Sequence, residues 1–204
     1  NQTATGSVAG GSTPLAQGET LYQGLEFYTR MDAAALFNLK HNVYFQAAWT
    51  WVADAEMKTP FQCVDAASCA ATGGFVQGDT EGNRLPYAPE HLLTAAIGLV
   101  HPRGIDTQLE LVYVSSQYAD FLNLENGADH PDGPASVNAL SGQFGVIDSY
   151  TILNFSITYS MWPGELDVYM AVKNLADKDY IVDRTRGILP GAERLVLGGL
   201  KYSF

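Results

Sequence analysis

Arg184 and Arg186, in the run Asp183-Arg184-Thr185-Arg186-Gly187, are the side chains best suited to hold an anion. They stand two residues apart, so in an extended segment both guanidiniums project to one side. A planar guanidinium fork binds carboxylate bidentately, which an ammonium cannot do. The competing use is internal, as salt bridges to Asp177, Asp179 or Asp183. Cys63 and Cys69 are the only cysteines, and their spacing allows a disulfide in an oxidising compartment or two free thiols. A metal site there would lack histidine support. The four histidines, His41, His91, His101 and His130, stand in turns and loops with no ligand spacing such as HExxH, so no metal site is expected. Neither a GxSxG elbow nor a phosphate loop occurs. Catalysis and a bound cofactor therefore have little support, although a catalytic barrel of the outer-membrane lipase or protease kind stays open.

The elements that must position these groups are strands. Glu193–Phe204 alternates Phe204, Tyr202, Leu200, Gly198 and Val196 against Ser203, Lys201 and Gly199, and stops on an aromatic. That is a period-two strand with one apolar face. Gly24–Phe37 sets Leu25, Phe27, Met31, Ala33, Ala35 and Phe37 against Glu26, Tyr28, Arg30 and Asp32. Asn42–Ala55 sets Val43, Phe45, Ala47, Trp49 and Trp51 against Asn42, Gln46, Thr50 and Asp54. His91–Val100 is apolar on both faces, and Ile105–Phe121 places Leu109, Leu111 and Tyr113 opposite Asp106, Gln108 and Glu110. Ser149–Tyr159 and Leu166–Asn174 alternate likewise, so with the C-terminal strand there are seven. A packed soluble core seldom tolerates so much charge on the second face, whereas a water-filled lumen does.

Composition fits a strand-built membrane protein. The chain has 204 residues, 47% of them hydrophobic and 16% charged, with 11 Tyr, 9 Phe and 3 Trp. A mean hydropathy of −0.03 suits a membrane protein only when polar and apolar residues alternate. The longest uncharged apolar run, Leu92–Val100, is too short for a spanning helix of about 20 residues. A net charge of −11 argues against nucleic acid. It suits loops beside a lipopolysaccharide leaflet rich in divalent cations. No secretory signal opens the chain, so in an exported protein Asn1 would be a processed or truncated start.

The connections sort themselves. They run short, long, short, long, short, medium: Asn38–His41, Glu56–Glu90, His101–Gly104, Leu122–Asp148, Ser160–Glu165 and Ala176–Ala192. Transmembrane barrels have short periplasmic turns and long outer loops. With Phe204 at the periplasmic end, every short turn falls inside and every longer connection outside. Trp49, Trp51, Tyr113 and Phe27 then form an outer aromatic girdle, and Phe37, Phe45, Tyr159, Trp162 and Phe204 an inner one. Bacterial barrels have even strand counts, so seven strands imply a larger barrel, with Asn1–Gln23 in an outer loop.

These residues carry a family resemblance. Val172-Lys173-Asn174-Leu175-Ala176-Asp177-Lys178-Asp179-Tyr180 resembles the V-x-N-L-x-D-K-x-Y stretch of the penultimate strand of TonB-dependent outer-membrane receptors. A Gly/Pro-bearing loop, Arg184–Ala192, and an ending, Arg194–Phe204, follow in the family's order. Gly24-Leu25-Glu26 resembles their G-x-E, and Leu85-Pro86-Tyr87-Ala88-Pro89-Glu90-His91 their L-P-Y-x-P-x-H, as in ferric-citrate-type members.

The resemblance implies an all-β protein, a transmembrane antiparallel β-barrel, of which residues 1–204 form the C-terminal portion. They would supply about the last seven strands of a barrel of roughly 22. The plug domain and the TonB-contacting segment would lie outside this chain. It implies a Gram-negative outer-membrane location, with lipid and lipopolysaccharide as neighbours. The function implied is uptake of a scarce nutrient, foremost a ferric siderophore such as ferric citrate, with TonB engaged through the plug. Haem, cobalamin or an oligosaccharide remain alternative ligands, and a structural or adhesive barrel an alternative role. Anionic ferric hydroxycarboxylates would need positive charge at the outer mouth, which assigns ligand binding to Arg184 and Arg186. Placed in an outer loop, Cys63 and Cys69 are expected to form a disulfide, worth about 2–2.5 kcal/mol for so small a ring.

Overall fold

The computed structural model describes residues 3–8, 11–16, 19–58, 80–130, 133–162 and 164–203. Strands β1 (Thr3–Val8) and β2 (Gly11–Ala16) pair as a separate hairpin, so the expected outer loop Asn1–Gln23 contains strands of its own. Seven long strands then run as an antiparallel meander. They are β3 (Thr20–Asp32), β4 (Asn42–Met57), β5 (His91–His101), β6 (Ile105–Val114), β9 (Tyr150–Trp162), β10 (Leu166–Lys173) and β13 (Leu195–Tyr202). Short elements fill the connections: α1 (Ala33–Phe37), β7 (Gln117–Tyr118), α2 (Val137–Leu140), β8 (Val146–Ile147), β11 (Ile181–Asp183) and β12 (Leu189–Pro190). The sheet is open, with β3 and β13 at its edges.

The register turns the sequence alternation into two continuous faces. One rung crosses all seven strands as Met31, Phe45, Ile97, Leu109, Phe155, Val172 and Val196. An adjacent rung on the other face runs Arg30, Gln46, Ala96, Glu110, Asn154. The apolar face is bare, with Phe27 58%, Ile97 52% and Leu200 72% exposed. Soluble monomers rarely expose a contiguous apolar face of this extent, which marks a surface that meets membrane or protein.

The polar face is knit by side chains. Arg30 donates to both Asp32 oxygens at 3.0 Å and to Gln46 at 3.1 Å, with its guanidinium 4.3 Å above the Tyr44 ring. Tyr44 crosses β5 over Gly98, where a Cβ would come within 2.3 Å of the ring, and donates to Gln108 of β6 at 3.1 Å. Asn154 donates to Glu110 at 2.8 Å, and Ser160 to Asp167 at 2.5 Å. Arg30 is thus committed to neighbouring groups within the sheet.

Four local expectations need correction. The strand expected to continue to Phe37 stops at Asp32, because Ala33–Phe37 closes as a helical turn. Asn38 ends that turn in the left-handed region (φ 52), and the Asn42 side chain accepts from Ala34 N–H at 3.0 Å. The strand expected to reach Phe121 ends at Val114, where Ser115 exchanges hydrogen bonds with the His91 backbone. His91 and His101 are the end residues of β5 rather than loop residues. The alternation of β4 resets at a bulge, since Gln23 pairs with Asp54 but Gly24 with Val52, so Asp54 does not continue the Asn42, Gln46, Thr50 series.

Candidate functional site

One cluster of buried apolar side chains gathers where the first long connection meets β4. Across the bulge, Val52, Ala55 and Met57 of β4 pack with Leu85 and Ala88, with Phe121 against them. Segment 80–90 lies along β4 through Leu85 N–H to Ala55 O at 2.7 Å and Met57 N–H to Asn83 O at 3.0 Å. Arg84 fastens it, donating to Ala88 O at 2.7 Å and Val52 O at 2.9 Å. Asn123 accepts from Arg84 N–H at 2.7 Å and returns a bond to Arg84 O at 2.8 Å, which joins segment 80–90 to the connection 115–149. Within that connection Asp120, 6% exposed, accepts from the N–H groups of Leu122, Leu124 and Gly145. Arg84→Met leaves two carbonyls without their donor and should cost about 1–3 kcal/mol. Faster proteolysis within 80–90 and 115–149, with the barrel still folded, is the expected readout.

The last connection, residues 174–194, is pinned by its own motif. Asn174, left-handed at φ 50 and 2% exposed, donates to Lys178 O at 2.9 Å and Ala192 O at 3.0 Å and accepts from Lys178 N–H. Asp177 takes Arg194 as its partner at 2.7 Å, so the final strand is tied to the turn after β10. Tyr180 lies against Tyr150 with ring centroids 4.5 Å apart and planes tilted by 39°. The Gly191 backbone lies against the Tyr180 ring so closely that a Cβ would come within 2.1 Å.

Arg184 and Arg186 have different fates. Arg184 Nη1 donates to Gly142 O at 3.1 Å and Phe144 O at 3.4 Å, bracing the connection 115–149. Its Nε is buried with no partner among the described residues. Its own N–H donates to the Tyr87 hydroxyl at 3.1 Å, so one arginine links three connections. Tyr87 is itself left-handed (φ 56) and donates its N–H to Tyr118 O at 2.9 Å. The acid beside Arg184 is engaged elsewhere: the Thr185 hydroxyl and N–H both donate to Asp183 Oδ1, at 2.5 and 2.9 Å. Those two bonds, the hydroxyl's first, hold the Asp183 carboxyl at about 2, below its ordinary 3.8. A lowered carboxylate contributes stability that is fully present above its ordinary value and is lost as pH falls through about 2. Arg186 is exposed, with no ion pair among the described residues. The internal partners expected for the two arginines, Asp177, Asp179 and Asp183, thus take neither of them among the described residues. Tyr87 and Arg84 went unassigned in the sequence; the L-P-Y-x-P-x-H run contains Tyr87 but does not display its reach to residue 184. Cys63 and Cys69 lie outside the described residues.

Between the ends of these connections lies a cleft of 550 Å³, lined by Tyr150, Tyr180, Lys178, Asp148, Asp179 and Glu193. It combines a tilted aromatic wall with three carboxylates and one ammonium. Such a lining can stack on a ring and accept hydrogen bonds from hydroxyl or amino groups. It opposes a polyanion unless Arg186 or another cation reaches the same ligand.

A bare apolar face, a polar inner face and folded connections at one end define a segment of a transmembrane β-barrel. Residues 1–175 match the family described as TonB dependent receptor-like, beta-barrel, and the chain belongs to that family. The barrels of this family are outer-membrane proteins. Solved structures share the fold. The unliganded ferric citrate transporter FecA aligns at TM-score 0.64 and 22% identity, covering 98% of this chain and 26% of its own. The siderophore receptor PiuA of Acinetobacter baumannii aligns at TM-score 0.61 and 16% identity, covering 93% and 23%. The siderophore receptor PirA of the same organism aligns at 0.61 and 18%, covering 99% and 26%. The chain therefore spans about a quarter of the length of the receptors it resembles. In this family the apolar face meets lipid, the polar face lines the lumen, and the short turns are periplasmic.

Proposed function

We propose that the chain is the C-terminal part of a TonB-dependent receptor that imports a ferric siderophore, with a plug domain and TonB contact supplied by the rest of the receptor. Family membership carries the transport reading. The ligand class is supported by the ferric citrate and siderophore names of proteins that share the fold. In this reading Arg186, exposed at the outer mouth, meets an anionic ligand. Arg184, already spent on loop carbonyls, holds the loop that presents it and offers its remaining donor. Loss of one charge-assisted contact should weaken binding by about 1.5 kcal/mol or more, roughly tenfold. The test is ferric-citrate binding by the full-length receptor and by its Arg186→Ala and Arg184→Ala variants. Arg186→Ala should lose affinity with unchanged loop proteolysis, whereas Arg184→Ala should lose both affinity and loop order. No binding by the unmodified receptor, or full affinity in Arg186→Ala, overturns the assignment and leaves the barrel reading intact.

The acid-lined tyrosine cleft supports a second ligand reading, an oligosaccharide, because aromatic stacking beside carboxylate acceptors suits a polyhydroxylated ring. Tyr180→Ala separates the two. It should abolish oligosaccharide binding and change ferric-citrate binding little.

A further inference from the structure

The histidines at the inner end of the sheet belong to neither the lumen nor the outer mouth. Pairing of β4 with β5 ends at Asn42 opposite Val100, and the next rung inward is His41 opposite His101. Their rings stack there, with centroids 6.0 Å apart and planes 19° from parallel. His41 lies in step with Val43, and His101 pairs with Ile105, so both stand on the lipid-facing side. Arg103 N–H donates to His101 Nδ1 at 3.2 Å. That bond makes Nδ1 the acceptor and leaves Nε2 to donate outward. Lys40 and Arg103 flank the pair, both exposed and without an ion pair among the described residues. The β9–β10 connection, next to it in the meander, contributes one acid, Glu165. On a chain of net charge −11, this is a local concentration of cations at the membrane rim. The flanking cations make the imidazole pair a poor seat for a divalent metal and a good one for a phosphate oxygen.

Directly above the pair, the lipid-facing surface is hollowed. A depression of 280 Å³ is lined by Val43, Ile97, Leu99, Leu109 and Phe155. It continues into a second, of 200 Å³, which shares Ile97 and Leu109 and reaches Phe45 and Ala95. From His101 to Ala95 along β5 is roughly 20 Å at strand rise, which at a strand tilt of about 35–45° reaches about halfway across a hydrocarbon core of about 30 Å. A basic cluster at the headgroup level and a shallow apolar channel, open to the membrane and running from it, match the two halves of one molecule.

We propose that this rim is a binding site for one anionic phospholipid of the periplasmic leaflet. Lys40, His41, His101 and Arg103 hold its phosphate, and an acyl chain lies in the channel beside Leu99 and Ile97. The test uses the full-length receptor, delipidated in non-ionic detergent and titrated with phosphatidylglycerol or phosphatidylcholine, with bound lipid counted by native mass spectrometry. The unmodified receptor should retain phosphatidylglycerol preferentially. Each cation at a membrane surface contributes enough that Lys40→Gln with Arg103→Gln should reduce that preference about tenfold or more. Both residues are exposed in turns, and a heat-modifiable gel shift verifies that the barrel is folded. Ala95→Trp, which fills the channel, should reduce retention of both lipids. Equal retention of the two lipids by the unmodified receptor, or a preference that survives the double glutamine variant, overturns the site. Unchanged retention in Ala95→Trp overturns the acyl-chain placement.

Discussion

Leu109→Arg should destabilise the full-length receptor by about 2–4 kcal/mol, and Ser156→Arg by much less. The two positions lie on neighbouring strands, one residue apart in register, since Leu109 pairs with Phe155 and Gln108 with Ser156. They differ only in the face they occupy. Leu109 sits mid-strand between Ile97 and Phe155 on the bare apolar side, 40% exposed to what the family's fold makes lipid. A guanidinium there must desolvate or drag water and headgroups inward, and its stem is too short to reach either interface from the midplane. Ser156 is exposed on the polar face, where Gln108, Glu110 and Lys173 line a small polar hollow with it. An arginine placed there finds water and the Glu110 carboxylate. Urea unfolding of the receptor in lipid vesicles measures both. Equal costs would mean that the faces are assigned wrongly, and with them the membrane reading of every rung.

The rungs were legible because a period of two leaves no freedom once the strands are antiparallel and joined by short turns. Phe45 and Leu109 take their faces from alternation, while Ile97, in a strand apolar on both sides, takes its face from pairing between them. Where alternation is silent, the sequence misleads. Ala33-Ala34-Ala35 satisfies a strand pattern without opposing a helix, and only the left-handed Asn38 and the reach of Asn42 back to Ala34 decide it. The mouth was less legible because its bonds join residues far apart in the chain. Arg184 reaches carbonyls at 142 and 144, and Tyr87 reaches residue 184; no spacing rule encodes either. Asp177 read as a partner for the loop arginines, but Arg194 at the base of the final strand takes it. Motif residues quoted for resemblance acquire physical roles only in three dimensions. Asn174 closes the turn after β10, and Tyr87 is a junction of connections.

Gly24 shows what one such motif residue contributes, and replacing it is expected to have the opposite sign from replacing another strand glycine. At the β3–β4 bulge, a Cβ on Gly24 would lie 2.0 Å from the Trp51 carbonyl oxygen and 3.0 Å from Trp51 C and Val52 Cα. All three are backbone atoms of the partner strand, so no rotamer change relieves the clash. The bulge itself must open. Gly24→Ala should therefore cost about 1–3 kcal/mol or more. The loss should extend outward, because the bulge is what carries Val52, Ala55 and Met57 into one buried cluster under segment 80–90. Gly198, on the lipid-facing side of β13, meets nothing nearer than 3.7 Å, the Tyr169 carbonyl. There a methyl group restricts the unfolded chain at no steric cost, and Gly198→Ala should stabilise by about 0.5 kcal/mol. Urea unfolding reads the difference, and limited proteolysis of residues 80–90 reads its location. If both alanines shift the midpoint alike, Gly24 is an ordinary strand residue and the bulge does not set the outer mouth. If only Gly24→Ala loosens 80–90, the close approach of two backbones at one glycine is what converts a membrane strand into a platform for the loops above it.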